Sequence, residues 1–307
     1  MTPFALPALE PFSSLPPPAL SSSAYATALN QVQALGGKVS TLRTARDSET
    51  AVFWSDFSYT SMPPGHWHLI AEGIAVSQTN SLVDNARLFA LLSLAQADTG
   101  ILCWEAKFRY NLWRPVTAIQ RADEDSNPLT HADPMWDHFL SSPPFPAYFS
   151  GHSSFSAASA VVLADFYGRD TLPFKASSDS LPGVARDYTS LADCADEVGM
   201  SRIYGGIHYS FDNTEGKEVG RKVGNYVSTH FLLPVSALPS VRVSQVRLGT
   251  VELTVQGRGT GRLELQVSED LRTFVPLSSS MFVPGGWRYT DTNANFASKF
   301  YRAVETE

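Results

Sequence analysis

Apolar residues recur at helical spacing through most of the first 230 positions, and at alternating spacing after them. The strongest helical stretch is 81–110, where Leu82, Ala86, Phe89, Leu92 and Leu94 share one side and Asp84 and Arg87 mark a wet one. Ser81 is placed to cap its start. Residues 151–167 (GHSSFSAASAVVLADFY) read as a second helix, rich in small side chains that allow close packing against another backbone. A third is expected from about 183 to 200. A fourth runs from near Asp212 to about 231, despite three glycines. Weaker helical patterns cover 23–48 and 66–80.

Past Pro234 and Pro239 the period changes to two. VRVSQVRLGTVELTVQG, GRLELQVSED, FVPL and KFYRAVE are short strands separated by Gly, Asn and Asp turns. The expected organisation is a Pro-rich extended lead-in (1–22), a mainly α helical-bundle domain (23–235) and a small all-β, sandwich-like domain (236–307).

Composition narrows the partners. The net charge is -7, which argues against nucleic acid as the main ligand. No apolar run is read as approaching the ~20 residues of a membrane helix. The N-terminus has neither a basic n-region nor a long apolar core, so it does not read as a signal peptide. Cys103 and Cys194 lack metal-ligand spacing. They read as buried thiols, with a disulfide as the alternative.

Against this acidic background, three segments concentrate cations, a hydroxyl and imidazoles: Lys107 with Arg114-Pro115, then Ser150-Gly151-His152, then Ser201-Arg202 with His208 and Asp212. Pro115 keeps Arg114 out of the α region, so Arg114 belongs at or beyond a helix exit and Lys107 on the last turns of that helix. Ser150-Gly151-His152 precedes a helix, whose first amides make an anion site. Asp212 follows His208 by four residues, the spacing that brings a carboxylate to an imidazole on one helical turn. The set suits a tetrahedral oxyanion, either phosphate or vanadate. Each segment alone is commonplace, and Tyr110 and Trp113 could merely cap a core.

In order and together, these residues resemble the signature of the phosphatidic acid phosphatase type 2 superfamily, which includes bacterial acid phosphatases and vanadium-dependent haloperoxidases. The family's usual Pro-Ser-Gly-His is altered here, with Phe149 in place of the proline. Trp104-Glu-Ala-Lys107, Trp113-Arg114-Pro115, Pro143-Pro-Phe-Pro-Ala-Tyr148 and Ser201–Asp212 resemble the haloperoxidase branch.

The resemblance implies vanadate as cofactor, with phosphate as a competing or alternative oxyanion. Lys107, Arg114, Arg202, Ser150, Gly151 and His152 would surround it, and His208 would be the metal ligand. His152 would be the acid-base catalyst, Asp212 would orient His208, and Lys107 would polarise peroxide. Trp104 and Phe145 stand where chloroperoxidases place a halide pocket, or are core aromatics.

The implied partners are hydrogen peroxide, a halide and an organic acceptor. The alternative is an acid phosphatase working through a phospho-histidine on His208. A third reading is a binding module with a degenerate helical scaffold. Relatives in the resembled family carry a further N-terminal helical region. The apolar face of the 82–106 helix is therefore expected to need a partner, such as a homodimer. The β-domain is similar to C-terminal domains of secreted bacterial proteins, which suggests a secreted or periplasmic location.

Overall fold

The computed structural model describes residues 2–233, 239–257, 262–283, 286–293 and 298–306. The chain divides into two compact units, Met1–Leu232 and Leu233–Glu307. The expected boundary near residue 236 lies outside the described residues.

The first unit is helical: α1 (Ser23–Gly36), α2 (Ala45–Phe53), α3 (Met62–Ser77), α4 (Leu82–Tyr110), α5 (Pro115–Gln120), α6 (Gly151–Tyr167), α7 (Leu191–Tyr204) and α8 (Ser210–His230). The expected 23–48 helix is two, α1 and α2. Thr44 and Asp47 form a capping box that starts α2 afresh. α4 begins at its own capping box, Ser81 with Asp84, and ends at Asn111 in the left-handed conformation.

The expected helix at 183–200 is corrected at its front half. Residues Thr171–Ser178 (β1) and Leu181–Ser190 (β2) pair as an antiparallel hairpin. β1 alternates exposed and buried, hiding Leu172, Phe174 and Ala176 against the helical core. The helix α7 starts only where Ser190 accepts the backbone N–H of Asp193.

The membrane reading also needs correction. The Leu82–Gln120 span is long and apolar enough to cross a membrane by length and composition, but half of its apolar window is buried within this unit. α4 buries Leu88, Leu91, Leu92, Ala95, Leu102 and Ala106 in the core of the helical unit. Its buried Asp98 accepts three backbone N–H groups from the lead-in, those of Phe4, Ala5 and Leu6, at 2.6, 2.8 and 2.9 Å. The lead-in is thereby tied to the bundle.

α6 and α8 make the closest helix pair, and the three glycines of α8 explain it. A Cβ at Gly220 would lie 2.2 Å from the Ser154 carbonyl oxygen, and one at Gly216 would lie 2.7 Å from that of Ser150. Glycine every four residues gives α8 a bare ridge for the small-residue face of α6. The contact sets the start of α6 beside the start of α8, where the Ser150 N–H donates to the Asp212 carbonyl at 3.1 Å. Two of the three sequence segments meet there.

Among its described residues the second unit has two antiparallel three-stranded sheets. In the first, β4 (Thr250–Gln256) lies between β3 (Ser240–Arg247) and β7 (Trp287–Asp291). In the second, β5 (Arg262–Ser268) lies between β6 (Val275–Met281) and β8 (Phe300–Thr306). Leu253, Val255 and Leu265 form its buried centre, as the alternating pattern requires.

Candidate active site

A cavity of about 460 Å³ in the helical unit is lined by Trp104, Lys107, Arg114, Phe145, Gly151, His152, Arg202 and His208. Eight of the ten residues singled out in the sequence therefore face one space. The other two stand behind it. Ser150 caps α6 and is fully buried, its Oγ accepting from the Ser153 backbone N–H and the Ser153 hydroxyl. Asp212 backs His208, with Oδ2 2.7 Å from Nδ1.

Arg114 leaves α4 through the left-handed turn at Asn111 and heads α5 in an extended conformation, as Pro115 demands. Its guanidinium is held by carbonyls: Nε donates to Phe145 at 2.7 Å and Nη1 to Ile207 at 2.8 Å. Nη1 also lies 3.1 Å from His208 Nε2. Arg202 is 1 % exposed on the last turn of α7, and its Nη1 donates to the Trp54 carbonyl at 2.9 Å.

Lys107 differs from the role implied for it. Its Nζ has three protons to give, and three carbonyls take them: Pro146, Ala147 and Phe149, at 3.1, 2.8 and 2.7 Å. Lys107 holds the loop that carries Phe145 and offers the cavity its charge, with no spare N–H. The Phe145 ring packs against both cations, 5.3 Å from Lys107 Nζ and 5.0 Å from Arg114 Cζ. Trp104 and Phe145 meet at 5.4 Å between ring centroids, giving the cavity an aromatic wall.

Burial of charged and titratable groups dominates the electrostatics. Burial pulls Arg202 down to about 9 and Arg114 down to about 10. Burial lowers Lys107 and raises its neighbour Asp212. His208 falls well below the usual histidine range, through burial first and then the charges of Arg114, Lys107 and Arg202. His152 falls likewise, through burial and then Arg202. Both imidazoles are therefore neutral near pH 7. With Asp212 accepting at Nδ1, His208 carries its proton there, and its unprotonated Nε2 accepts from Arg114 Nη1 at the edge of the cavity.

Several buried polar atoms at this site have no partner: Arg114 Nη2, Arg202 Nε and His152 Nε2. Two are cationic donors, and the third belongs to an imidazole able to gain a proton. Buried donors left this way cost stability unless a ligand meets them. The group they fit is a compact anion with several acceptor oxygens. Among the described residues, no three His, Cys, Asp or Glu side chains gather to hold a bare metal ion. A metal fitting this donor set is one that arrives as an oxyanion.

Sequence reasoning missed the segment Trp54-Ser55-Asp56. Trp54 holds Arg202, Ser55 makes a backbone hydrogen bond with His152, and the charge of Asp56 acts on Arg202. Nothing in its spacing signals this, because it lies about 150 residues from Arg202. The two cysteines are free and buried, as read.

Fold and site define the class: a helical bundle that converges cations and two neutral histidines on one cavity. Residues 87–236 match the family model described as the VCPO second helical-bundle domain. The chain is 28% identical over 268 residues to the vanadium chloroperoxidase of Curvularia inaequalis, covering 66% of this chain and 43% of that protein. It is 34% identical to a crystal structure described as the first bacterial vanadium-dependent iodoperoxidase, with a TM-score of 0.66 over 74% of this chain and 55% of that one. A holo-type bacterial vanadium-dependent chloroperoxidase shares the fold at 16% identity, with a TM-score of 0.59 over 74% of this chain and 52% of that one. The chain thus spans about half the length of these relatives. It belongs to the vanadium-dependent haloperoxidase family.

Proposed function

We propose that the chain binds vanadate in the 460 Å³ cavity and oxidises halide with hydrogen peroxide, giving a hypohalous-type agent that halogenates an organic acceptor. One observation carries this reading. Partnerless Arg114 Nη2, Arg202 Nε and His152 Nε2 share a cavity with a neutral His208 whose Nε2 lone pair is free of its proton.

Arg114 Nη2, Arg202 Nε and the Gly151 N–H would hold the oxyanion, with the charge of Lys107 beside them. Ser150 Oγ accepts in both cap bonds, which leaves its own O–H to donate. His208 Nε2 would be the metal ligand, exchanging its contact with Arg114 Nη1 for the metal, and Asp212 keeps the His208 proton on the far nitrogen. When bound, vanadate supplies Lewis-acid activation of peroxide.

His152 moves protons at Nε2. It is neutral in the cationic cavity alone, and an anion brought beside it raises its proton affinity, so it can take a proton from peroxide and return it to a leaving oxygen. Trp104 and Phe145 exclude water where a halide would approach, which strengthens its reactivity by removing its hydration. The same donors fit phosphate, so weak phosphatase turnover through His208 is expected of the vanadate-free protein. A homodimer is proposed to cover exposed apolar side chains of α4 such as Phe108.

The test is a halogenation assay with peroxide and chloride, bromide or iodide, each with and without orthovanadate. Vanadate should switch on halogenation and suppress phosphatase turnover with one midpoint. Inhibition of the phosphatase with no halide oxidised would replace this reading with an acid phosphatase.

A further inference from the structure

His66 lies in the first turns of α3 and is 2 % exposed. It is not among the residues that line the cavity, and its buried Nε2 has no hydrogen-bond partner. Its Nδ1 lies 3.0 Å from Asp56 Oδ1, and its ring sits 4.6 Å from the Trp54 ring at an interplanar angle of 32°. His66 therefore grips both ends of the Trp54-Ser55-Asp56 segment.

That segment meets two site residues by three different groups. The Trp54 carbonyl accepts from Arg202 Nη1 at 2.9 Å. The Ser55 backbone bonds with His152. Asp56 is the carboxylate that acts on Arg202, and it also lines the cavity. Asp56 has φ 44°, in the left-handed region that non-glycine residues rarely adopt. Such a conformation persists when neighbours hold it. Besides the His66 contact, the segment is tied by Trp54 Nε1 to Glu197 at 2.9 Å and by Ser55 Oγ to Ser180 Oγ at 2.7 Å. Of these three ties, only that of His66 reaches the Asp56 carboxylate.

We infer that His66 is a positioning residue of the oxyanion site, fixing Arg202 and His152 through Asp56 and Trp54. The inference rests on the reading that this cavity binds an oxyanion. Losing the His66 contact frees the Asp56 carboxylate to swing onto Arg202 Nε, the partnerless donor that the oxyanion needs. Binding should then weaken although no residue of the cavity lining has changed.

The test compares His66→Leu, His66→Asn and His66→Gln with the wild type. Asparagine can present its amide N–H near the place of Nδ1, while glutamine reaches toward Nε2 and leucine donates nothing. Each protein, free of vanadate, is titrated calorimetrically with orthovanadate and with inorganic phosphate, and its melting temperature is recorded. His66→Leu and His66→Gln should bind both anions roughly tenfold or more weakly, the scale seen when an outer partner of a ligand is lost. His66→Asn should recover most of the affinity.

Unchanged affinity in His66→Leu and His66→Gln overturns the inference. So does an equal loss in the Asn and Gln variants that follows their melting temperatures, because that is a packing effect. If His66→Leu does not fold, the Asn and Gln pair decides. A wild type that binds neither anion removes the oxyanion reading itself, which is a separate outcome.

Discussion

Two buried histidine–carboxylate pairs flank this cavity, and they are built in opposite ways. His208 and Asp212 lie four residues apart at the start of α8, with 2.7 Å between Nδ1 and Oδ2. His66 and Asp56 lie ten apart, one on α3 and one in the loop before it, at 3.0 Å. The first pair turns its unprotonated imidazole nitrogen into the cavity, where Arg114 Nη1 meets it at 3.1 Å. The second turns its carboxylate there and keeps the imidazole behind. A histidine held by a carboxylate is a ligand in one case and a support in the other. What distinguishes them is which member of the pair faces the space.

That contrast ranks the substitutions. His208→Ala removes the sole proposed metal ligand and should abolish halogenation, reducing it to the level of the vanadate-free protein. Full activity in His208→Ala would collapse the distinction between the two pairs.

The cations come next, one beside each pair. Arg114 touches His208, while Arg202 is under the charge of Asp56. Each alanine substitution loses a charge-assisted contact of ~1.5–3 kcal/mol, hence about tenfold to hundredfold in vanadate affinity. Orthovanadate titrations of Arg114→Ala and Arg202→Ala check this, and an unchanged dissociation constant would remove that arginine from the site.

Asp212→Asn asks whether orientation alone matters. The amide keeps the shape but can donate to Nδ1, which would shift the imidazole proton to Nε2 and cap the lone pair. Vanadate affinity should fall roughly tenfold. Arg114→Ala and Arg202→Ala should leave the tautomer of His208 alone. Imidazole ¹⁵N shifts of His208 read it directly, and an unaltered tautomer in Asp212→Asn would refute this account.

The first pair was legible in the sequence and the second was not, for a physical reason. Within one helical turn, sequence spacing is spatial spacing, so His208 and Asp212 announce their contact. Asp56 reaches His66 through a loop whose path depends on tertiary packing and a left-handed residue. The same limit explains the hairpin at 171–190. Its alternating Leu172, Phe174 and Ala176 were readable, but Val184–Tyr188 is short and mixed enough to pass for helix until Ser190 is recognised as the cap of α7. Lys107 was legible as a site cation. That three carbonyls of a single loop would use all its protons was not. The α8 glycines looked like a weakness of the helix, and only its partner α6 shows why they are there.

The smallest effect expected is on stability against pH, and its sign follows from the same pairs. His208 and His152 are pushed well below the ordinary histidine value, so the folded protein keeps them neutral while the unfolded chain binds protons below about pH 6.5. Their contribution is fully present above about pH 6.5 and is lost as pH falls. Between pH 7.5 and 5.5, two such histidines account for roughly 2–3 kcal/mol of lost stability. Asp212 opposes them. Burial raises its carboxyl, so the folded state takes up a proton that the unfolded carboxylate, titrating near ~4, does not hold, and acid stabilises it. The vanadate-free wild type should therefore lose less over this range than the two histidines alone would cost, read as a correspondingly smaller fall in melting temperature. Asp212→Asn removes the opposing carboxyl and should lose more over the same range. Saturating phosphate should flatten the slope in the wild type, because an anion beside His152 restores its proton in the folded state and adds its own binding energy. Thermal unfolding at pH 7.5 and 5.5, with and without phosphate, measures all three slopes. An Asp212→Asn slope no steeper than that of the wild type would mean that Asp212 stays ionised throughout, held by the charges of Lys107 and Arg114.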